Sequence, residues 1–138
     1  MTLVDTNVLL DIVTDDLKWA RWSLRQLDAA AIRGPIVINA IVYAEFSIGY
    51  TRIEDVDRVL AGAGLELREI PRAALFLAGK VFQRYRVQGG SRTGVLPDFL
   101  IGAHAAVAQL PLLTRDPSRY RSYFSGIALI TPDDTKPT

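Results

Sequence analysis

The sequence predicts an α/β domain with a central, largely parallel sheet of short strands flanked by helices. Short apolar runs, such as Leu3-Val4, Ile36-Val37-Ile38 and Leu112-Leu113, are each followed by a segment with polar and apolar residues at helical spacing. Strands that alternate with helices in this way are typical of a parallel sheet. Because 138 residues suffice for one such domain, we predict a single domain over 1–138 with a polar tail at about 132–138.

Local signals place the other elements in chain order. Proline at positions 71 and 97 favours helix starts there, and Gly34-Pro35 and Gly62 favour helix ends. Helices are predicted to about Ile12, then at about 16–32, 40–49, 51–61, 71–86 and 97–110, with a short one from 117 and strands at 65–70 and 127–130. On the second helix, a stripe containing Leu24 and Leu27 is predicted to face the core.

The composition excludes several classes of site. The chain has no cysteine, which excludes disulfides, thiolate nucleophiles and thiolate zinc sites. Its one histidine, His104, leaves little room for a Ser-His-Asp triad, and we expect it to be structural. The apolar runs are too short to span a bilayer and no basic signal-peptide region opens the chain, so a cytoplasmic location is expected.

Four carboxylates are the candidates for chemistry, and three of them have an alternative interpretation. Asp5 follows the first strand, where open α/β sheets hold ligands, but it could equally be a helix N-cap. Glu45 lies on an apolar helix face and could instead pair with a buried arginine. Asp98 opens the most apolar helix, and Asp116 follows a strand, although it could cap the short helix that begins at Pro117.

If these four carboxylates meet, they repel one another unless divalent cations bridge them. Oxygen ligands suit Mg²⁺ or Mn²⁺, and such sites are used for phosphoryl chemistry. Arg92, in a glycine-containing segment that is either a mobile loop or a plain connector, and Arg115 are candidates for holding a polyanionic backbone, with Arg84, Arg86, Arg119 and Arg121 behind them. Single-stranded RNA fits these terms best. Trp22 and Phe76 are predicted to point outward and to contact a protein partner.

Four segments carry a resemblance to a known family. Leu3-Val4-Asp5-Thr6-Asn7-Val8-Leu9, Glu45 on a helix after a strand, the segment Pro97 to Ala105 and Leu113-Thr114-Arg115-Asp116 resemble the PIN-domain family. They are most similar to the VapC-type ribonuclease toxins of bacterial toxin–antitoxin pairs. The resemblance implies a PIN-like α/β/α sandwich and a Mg²⁺-dependent endoribonuclease, with Mn²⁺ able to substitute, that hydrolyses RNA by metal-activated water.

The same resemblance implies roles for individual residues and for partners. Asp5, Glu45, Asp98 and Asp116 would be catalytic and metal-binding, with Asp5 and Asp98 as direct ligands. Thr6, Asn7 and Thr114 would support the site. The partners would be a VapB-like antitoxin, the RNA substrate and a second copy of the chain in a homodimer.

Two other functions compete with this interpretation. A PIN-like module could bind RNA or protein without cutting. A haloacid-dehalogenase-like phosphatase could use Asp5 as its nucleophile, although such sites need a second aspartate two residues later, where this chain has Asn7. Asp11, Asp15 and Asp16 are expected to be surface or capping residues.

Overall fold

The computed structural model describes residues 1–92 and 94–132. The elements in chain order are β1 (Thr2–Val4), α1 (Thr6–Val13), α2 (Ala20–Arg33), β2 (Ile36–Ile38), α3 (Ala40–Ser47), α4 (Ile53–Gly62), β3 (Leu65–Leu67), α5 (Arg72–Val87), α6 (Leu96–Ala108), β4 (Leu112–Leu113), α7 (Ser118–Tyr123) and β5 (Leu129–Ile130). The predicted polar tail lies outside the described residues except for Pro132.

The strands of the described ranges form one sheet in the order β3-β2-β1-β4-β5, and every neighbouring pair is parallel. The α/β fold with a largely parallel, short-stranded sheet flanked by helices is therefore confirmed. β1 lies at the centre, and Val4 is in register with Leu113 of β4. Because the two strands end together, Asp5 and Thr114 leave the sheet side by side.

The core is formed by the apolar strands and by α6, as the nearly uniform hydrophobicity of that helix predicted. The side chains of β1, β2 and β4 are buried, and so are Phe99 and the residues from Ile101 to Ala105. Gly102 lies under the ring of Phe124, which follows α7; a Cβ atom at position 102 would be 2.6 Å from two carbons of that ring. The small residue thus lets α6 and the segment around α7 pack closely.

Helix α2 begins later and presents a different face to the core than predicted. The Asp16 carboxylate accepts hydrogen bonds from the backbone N–H groups of Lys18 and Trp19, which forms a turn where the helix was expected. Ser23 and Leu27 are buried, whereas Leu24 is 47% exposed. A polar side chain points inward here because its hydroxyl donates to a buried carboxylate, which apolar spacing does not reveal.

The outward orientation predicted for Trp22 is consequently wrong. Its ring is partly buried against the core and lies edge-on to Trp19, with 6.1 Å between ring centroids. Its Nε1 is buried and has no hydrogen-bond partner within the described part of the chain. Phe76 is exposed as predicted, at 69%, with the Lys80 ammonium 5.2 Å from its ring centroid. Roles for both rings in binding a partner stay predictions.

Within residues 1–92 and 94–132, none of the helices is long and apolar enough to cross a membrane.

Candidate active site

All four predicted carboxylates line one open cavity of about 350 Å³ next to the carboxyl ends of β1 and β4. Its walls are formed by Asp5, Thr6, Asn7, Leu10, Glu45, Ile48, Asp98, Asp116 and Tyr120. The acids come from four separate parts of the chain, namely the end of β1, α3, the first turn of α6 and the segment after β4. The topology of the sheet therefore brings together residues that are up to 111 positions apart, from Asp5 to Asp116.

Asp5 is buried and accepts hydrogen bonds from four residues, the longest of them from Asn7 Nδ2 at 3.4 Å. Its Oδ1 accepts the backbone N–H of Thr6 at 2.7 Å, so it does cap α1. Its Oδ2 accepts the hydroxyls of Thr114 and Tyr120, each at 2.9 Å. The two interpretations of Asp5 from the sequence, helix cap and site residue, are thus compatible, since one carboxylate caps the helix and lines the cavity.

The environment of Asp5 disfavours its charge. Burial is the largest cause and raises the pKa of this carboxyl from 3.8 to about 6. The nearby charge of Asp98 raises the pKa further, whereas the hydrogen bonds from Thr114, Tyr120 and the Thr6 backbone lower it. At neutral pH the carboxylate is therefore ionised at an energetic cost, which a cation in the cavity would offset.

Glu45 is joined to α1 rather than to an arginine. The Thr6 hydroxyl donates to Glu45 Oε1 at 2.5 Å. No described arginine forms an ion pair with Glu45, so the alternative of a buried Arg–Glu pair is wrong. Helix α3, which carries Glu45, is capped by Asn39, whose Oδ1 accepts the backbone N–H groups of Ile41 and Val42.

The histidine is structural, as expected. The side-chain amide of Asn39 and Nδ1 of buried His104 lie 3.1 Å apart, which links the start of α3 to α6. Burial lowers the pKa of His104, so the neutral ring can accept this hydrogen bond from Asn39. His104 does not line the carboxylate cavity.

Asp98 and Asp116 both line the cavity but differ in their contacts. Asp98 lies in the first turn of α6 and forms an ion pair with Arg119 of α7. The exposed Asp116 makes no side-chain cap to α7, whose N-cap is Pro117, so the alternative of Asp116 as that helix cap is wrong. The Asp116 backbone N–H donates to Thr114 Oγ1 at 3.1 Å, which fixes its position after β4.

Asn7 and Thr114 join the ends of the two central strands. Asn7 Nδ2 donates to Thr114 Oγ1 at 3.3 Å, and Asn7 Oδ1 accepts the backbone N–H of Arg115 at 3.1 Å. Together with the bond from Thr114 to Asp5, these contacts hold the segment after β4 against the start of α1. The predicted supporting residues are thus all connected to the candidate site.

The two predicted substrate-binding arginines lie outside the lining of the cavity. Arg115 donates through Nε and Nη2 to both carboxylate oxygens of Asp11, at 2.7 and 3.0 Å, and its guanidinium lies 5.6 Å from the Trp19 ring centroid. The exposed Arg92 is attached to α5 through its backbone N–H, which donates to the Tyr85 hydroxyl at 3.1 Å. The Arg115 side chain is thus paired with Asp11 and lies near enough to Asp116 for their charges to interact, but neither it nor Arg92 lines the cavity.

The same ion pair corrects the expectation for Asp11. This residue is 3% exposed and also accepts the Ser23 hydroxyl at 2.9 Å, so it is a buried structural residue and not a surface one. Asp11 lies on the inner side of α1 because it contacts Ser23 of α2 and Arg115 after β4. Both partners are distant from Asp11 in sequence, so the residues next to it do not reveal these contacts.

Two residues at the cavity were missed by the sequence interpretation. Tyr120 and Arg119 belong to the short helix α7 and contact Asp5 and Asp98, respectively. The available signal was their position: residues three and four places after Asp116 in a helix return to the side on which the helix begins. The sequence interpretation placed Arg119 only among the arginines behind the expected mouth of the site and gave Tyr120 no role in it.

The donor set fits a hard divalent cation that keeps part of its water shell. Mg²⁺ is commonly held in proteins by one or two carboxylates together with water, and Asp5 and Asp98 are close enough for the charge of one to raise the pKa of the other. In the described ranges, no three acidic, histidine or cysteine side chains converge closely enough to enclose a metal ion. The Thr6 hydroxyl donates to Glu45, and Arg119 forms an ion pair with Asp98. These contacts account for the wide spacing of the acids around the cavity.

Comparison with known proteins identifies the family. A model of the PIN domain matches residues 2–124. Similar folds occur in VapBC2 from Rickettsia felis bound to a DNA fragment from their promoter (TM-score 0.72, 20% identity, 94% of this chain and 97% of that chain) and in a toxin–antitoxin complex from Klebsiella pneumoniae (TM-score 0.67, 25% identity, 96% and 98%). DNA-bound VapBC from Salmonella typhimurium is also similar (TM-score 0.68, 19% identity, 95% and 98%).

A sequence search of curated proteins gives no significant match. The family match nevertheless covers most of the chain and includes all four cavity acids. The resemblance to the PIN-domain family that the sequence motifs indicated is therefore confirmed, and the chain belongs to that family.

Proposed function

We propose that this PIN domain is a Mg²⁺-dependent endoribonuclease, the VapC-like toxin of a toxin–antitoxin pair. The observation that carries the proposal is the single cavity that Asp5, Glu45, Asp98 and Asp116 line together. Membership of the PIN-domain family and the similarity to folds in toxin–antitoxin complexes support it. A scaffold that only bound a partner would have no use for four mutually repelling acids around one cavity.

Asp5 and Asp98 are the residues that would hold the cation directly, with Glu45 and Asp116 beside them. When bound, Mg²⁺ or Mn²⁺ would supply a positive charge that lowers the pKa of a water molecule and neutralises the reacting phosphate. The chain's own part is to keep the acids oriented. Thr114 and Tyr120 hold one oxygen of Asp5, and the Thr6 hydroxyl holds Glu45.

Asp116 is our candidate for accepting the proton of the attacking water. Its carboxylate is exposed, lines the cavity and forms no ion pair within residues 1–92 and 94–132. A carboxylate with an open acceptor position can take up a proton during the reaction. Asp5 is less suited to this step because Thr114, Tyr120 and the Thr6 backbone already occupy its oxygens.

We further propose that a VapB-like antitoxin inhibits the enzyme and that the toxin is a homodimer. The similar solved structures are complexes of toxins with antitoxins, which supports the first of these partners. The exposed Phe76 with its neighbour Leu75, at 69% and 47% exposure, supports a protein contact on α5. Sedimentation of the chain with and without Phe76→Asp would test the dimer: the substitution should give monomers, and an unchanged mass would place any dimer contact elsewhere.

The nuclease activity is tested with end-labelled single-stranded RNA and with DNA of the same sequence. Protein freed of any copurifying inhibitor is incubated with Mg²⁺, with Mn²⁺ or with EDTA, alongside Asp98→Asn as the site variant and Asp28→Asn as a matched surface control. We expect RNA products in either metal, none in EDTA and none with Asp98→Asn. The Asp28→Asn protein should cut like the wild type, because this exposed residue of α2 does not line the cavity.

Other results of this assay would change the assignment. Cleavage of DNA in preference to RNA would keep the metal site and overturn the substrate class. Binding of RNA without cleavage, across several folded RNAs, would favour the silent binding module. Products that persist with Asp98→Asn or in EDTA would contradict the proposed metal site.

A further inference from the structure

Helix α7 places two neighbouring side chains on two different acids of the cavity. The buried Tyr120 hydroxyl donates to Asp5, and the guanidinium of Arg119 pairs with Asp98. Tyr120 is 1% exposed, so it anchors the helix, whereas the side chains of Arg119 and Asp98 are 32% and 33% exposed. The anchored tyrosine thus keeps an arginine at the edge of the cavity.

The Arg119–Asp98 pair occupies a carboxylate that the proposed function assigns to the cation. An arginine keeps its charge at every working pH, so the pair does not open by deprotonation. A divalent cation on Asp98 would repel the guanidinium at a separation of a few ångströms. Because the pair is partly exposed to water, it can open at a small cost, and the guanidinium remains tethered beside the cavity by Tyr120.

On this basis, and resting on the proposed metal-dependent nuclease, we propose that Arg119 exchanges partners. It pairs with Asp98 in the metal-free protein, competes there with the divalent cation, and contacts an RNA phosphate once the cation has displaced it. Arg119 lies outside the lining of the cavity, as do the predicted substrate arginines Arg92 and Arg115, but of these three it alone forms an ion pair with an acid that lines the cavity. Arg119 would be a substrate-binding residue that also weakens metal binding in the absence of RNA.

The first test is Mn²⁺ binding, measured by calorimetry without RNA. The variant Arg119→Gln removes the competing charge, and Arg121→Gln removes the same charge from the same helix as the matched control. We expect Arg119→Gln to bind Mn²⁺ about two- to fivefold more tightly, the range expected for losing a partly exposed ion pair. Arg121→Gln should bind like the wild type, since Arg121 contacts Thr131 and, unlike Arg119, forms no ion pair with any of the four described cavity acids.

The second readout is the Michaelis constant for labelled single-stranded RNA at saturating Mn²⁺. Loss of a charge-assisted contact to phosphate should raise KM about tenfold in Arg119→Gln, with an intermediate effect in Arg119→Lys, which keeps the charge without the planar fork. Circular dichroism of each variant establishes that it is folded. Tighter metal binding together with a raised KM supports the exchange of partners.

Failure of the inference is distinguishable from failure of the proposed function. Mn²⁺ affinity that is equal or weaker in Arg119→Gln, in a wild type that binds Mn²⁺ and cuts RNA, overturns the inference and leaves the function standing. An unchanged KM overturns the phosphate contact in the same way. A folded wild type that neither binds Mn²⁺ nor cuts RNA overturns both.

Discussion

The buried carboxylate of Asp5 should make the stability of the metal-free protein depend on pH in a characteristic way. Burial and the charge of Asp98 raise its pKa from 3.8 to about 6 in the folded chain. In the unfolded chain the carboxyl has its ordinary pKa, so between these two values the folded state holds a proton that the unfolded state has lost. The free energy of unfolding therefore falls as the pH rises through this window.

The size of the effect follows from the two pKa values. A tenfold change in proton affinity corresponds to about 1.4 kcal/mol, so the full contribution of Asp5 is about 3 kcal/mol. Below the unfolded pKa this stabilisation is fully present, and above about pH 6 it is lost. This difference in proton binding lowers the free energy of unfolding by about 2 kcal/mol between about pH 4.5 and about pH 7.5.

Urea unfolding of wild type and Asp5→Asn in EDTA measures this contribution, because the difference between the two proteins cancels the other titrating groups. The wild type should lose about 2 kcal/mol relative to Asp5→Asn over that pH interval. Any pH-independent effect of the amide on its hydrogen bonds shifts both ends equally and leaves the slope unchanged. A difference that is constant with pH, or that grows in favour of the wild type as pH rises, would refute the reasoning.

Two further substitutions test the packing around the site. Asp11→Ala should lower the free energy of unfolding by about 2 kcal/mol, because it leaves Arg115, whose side chain is 30% exposed, without its buried partner; urea unfolding measures this, with exposed Glu66→Ala expected to change it by less than about 0.5 kcal/mol. Gly102→Ala should destabilise by about 1–2 kcal/mol in a thermal melt, because the new methyl would lie 2.6 Å from ring carbons of buried Phe124, and this overpacking exceeds the gain in helix propensity.

For each substitution, one outcome would contradict the expected change in stability. An Asp11→Ala protein as stable as the wild type would show that its ion pair with Arg115 contributes nothing net. A Gly102→Ala protein that is more stable than the wild type would show that the ring of Phe124 moves aside freely and that the close packing at α6 is not constrained.

Much of the fold could be predicted because its determinants are local. The strands at Leu3-Val4 and Ile36-Val37-Ile38, and the helix after Pro97, are marked by runs of apolar residues and by proline. Alternation of these elements was sufficient to predict the parallel sheet, which is confirmed. The four acids could be proposed as a group because two of them follow strands and the sheet collects strand ends at one edge.

The missed features depend on contacts between residues far apart in sequence. Ser23 faces inward because its hydroxyl donates to Asp11. Helix α2 therefore turns a different side toward the core than the stripe containing Leu24 predicted. Arg115 was predicted to bind substrate, but in the folded chain its guanidinium is paired with Asp11. Arg119 gave no sign of special position, since only the packing of α7 against α6 brings it to Asp98.

Binding of Mn²⁺ to the purified protein tests the proposed carboxylate metal site without requiring knowledge of the RNA that is cut. Calorimetric titrations at about pH 7.5 would compare the wild type, Asp98→Asn and the surface control Asp28→Asn. We predict saturable binding in the wild type and the control, and a loss of at least about tenfold in affinity when Asp98 loses its charge. Equal affinity in all three proteins, or no saturable binding in a folded wild type, would contradict a metal site built from these carboxylates.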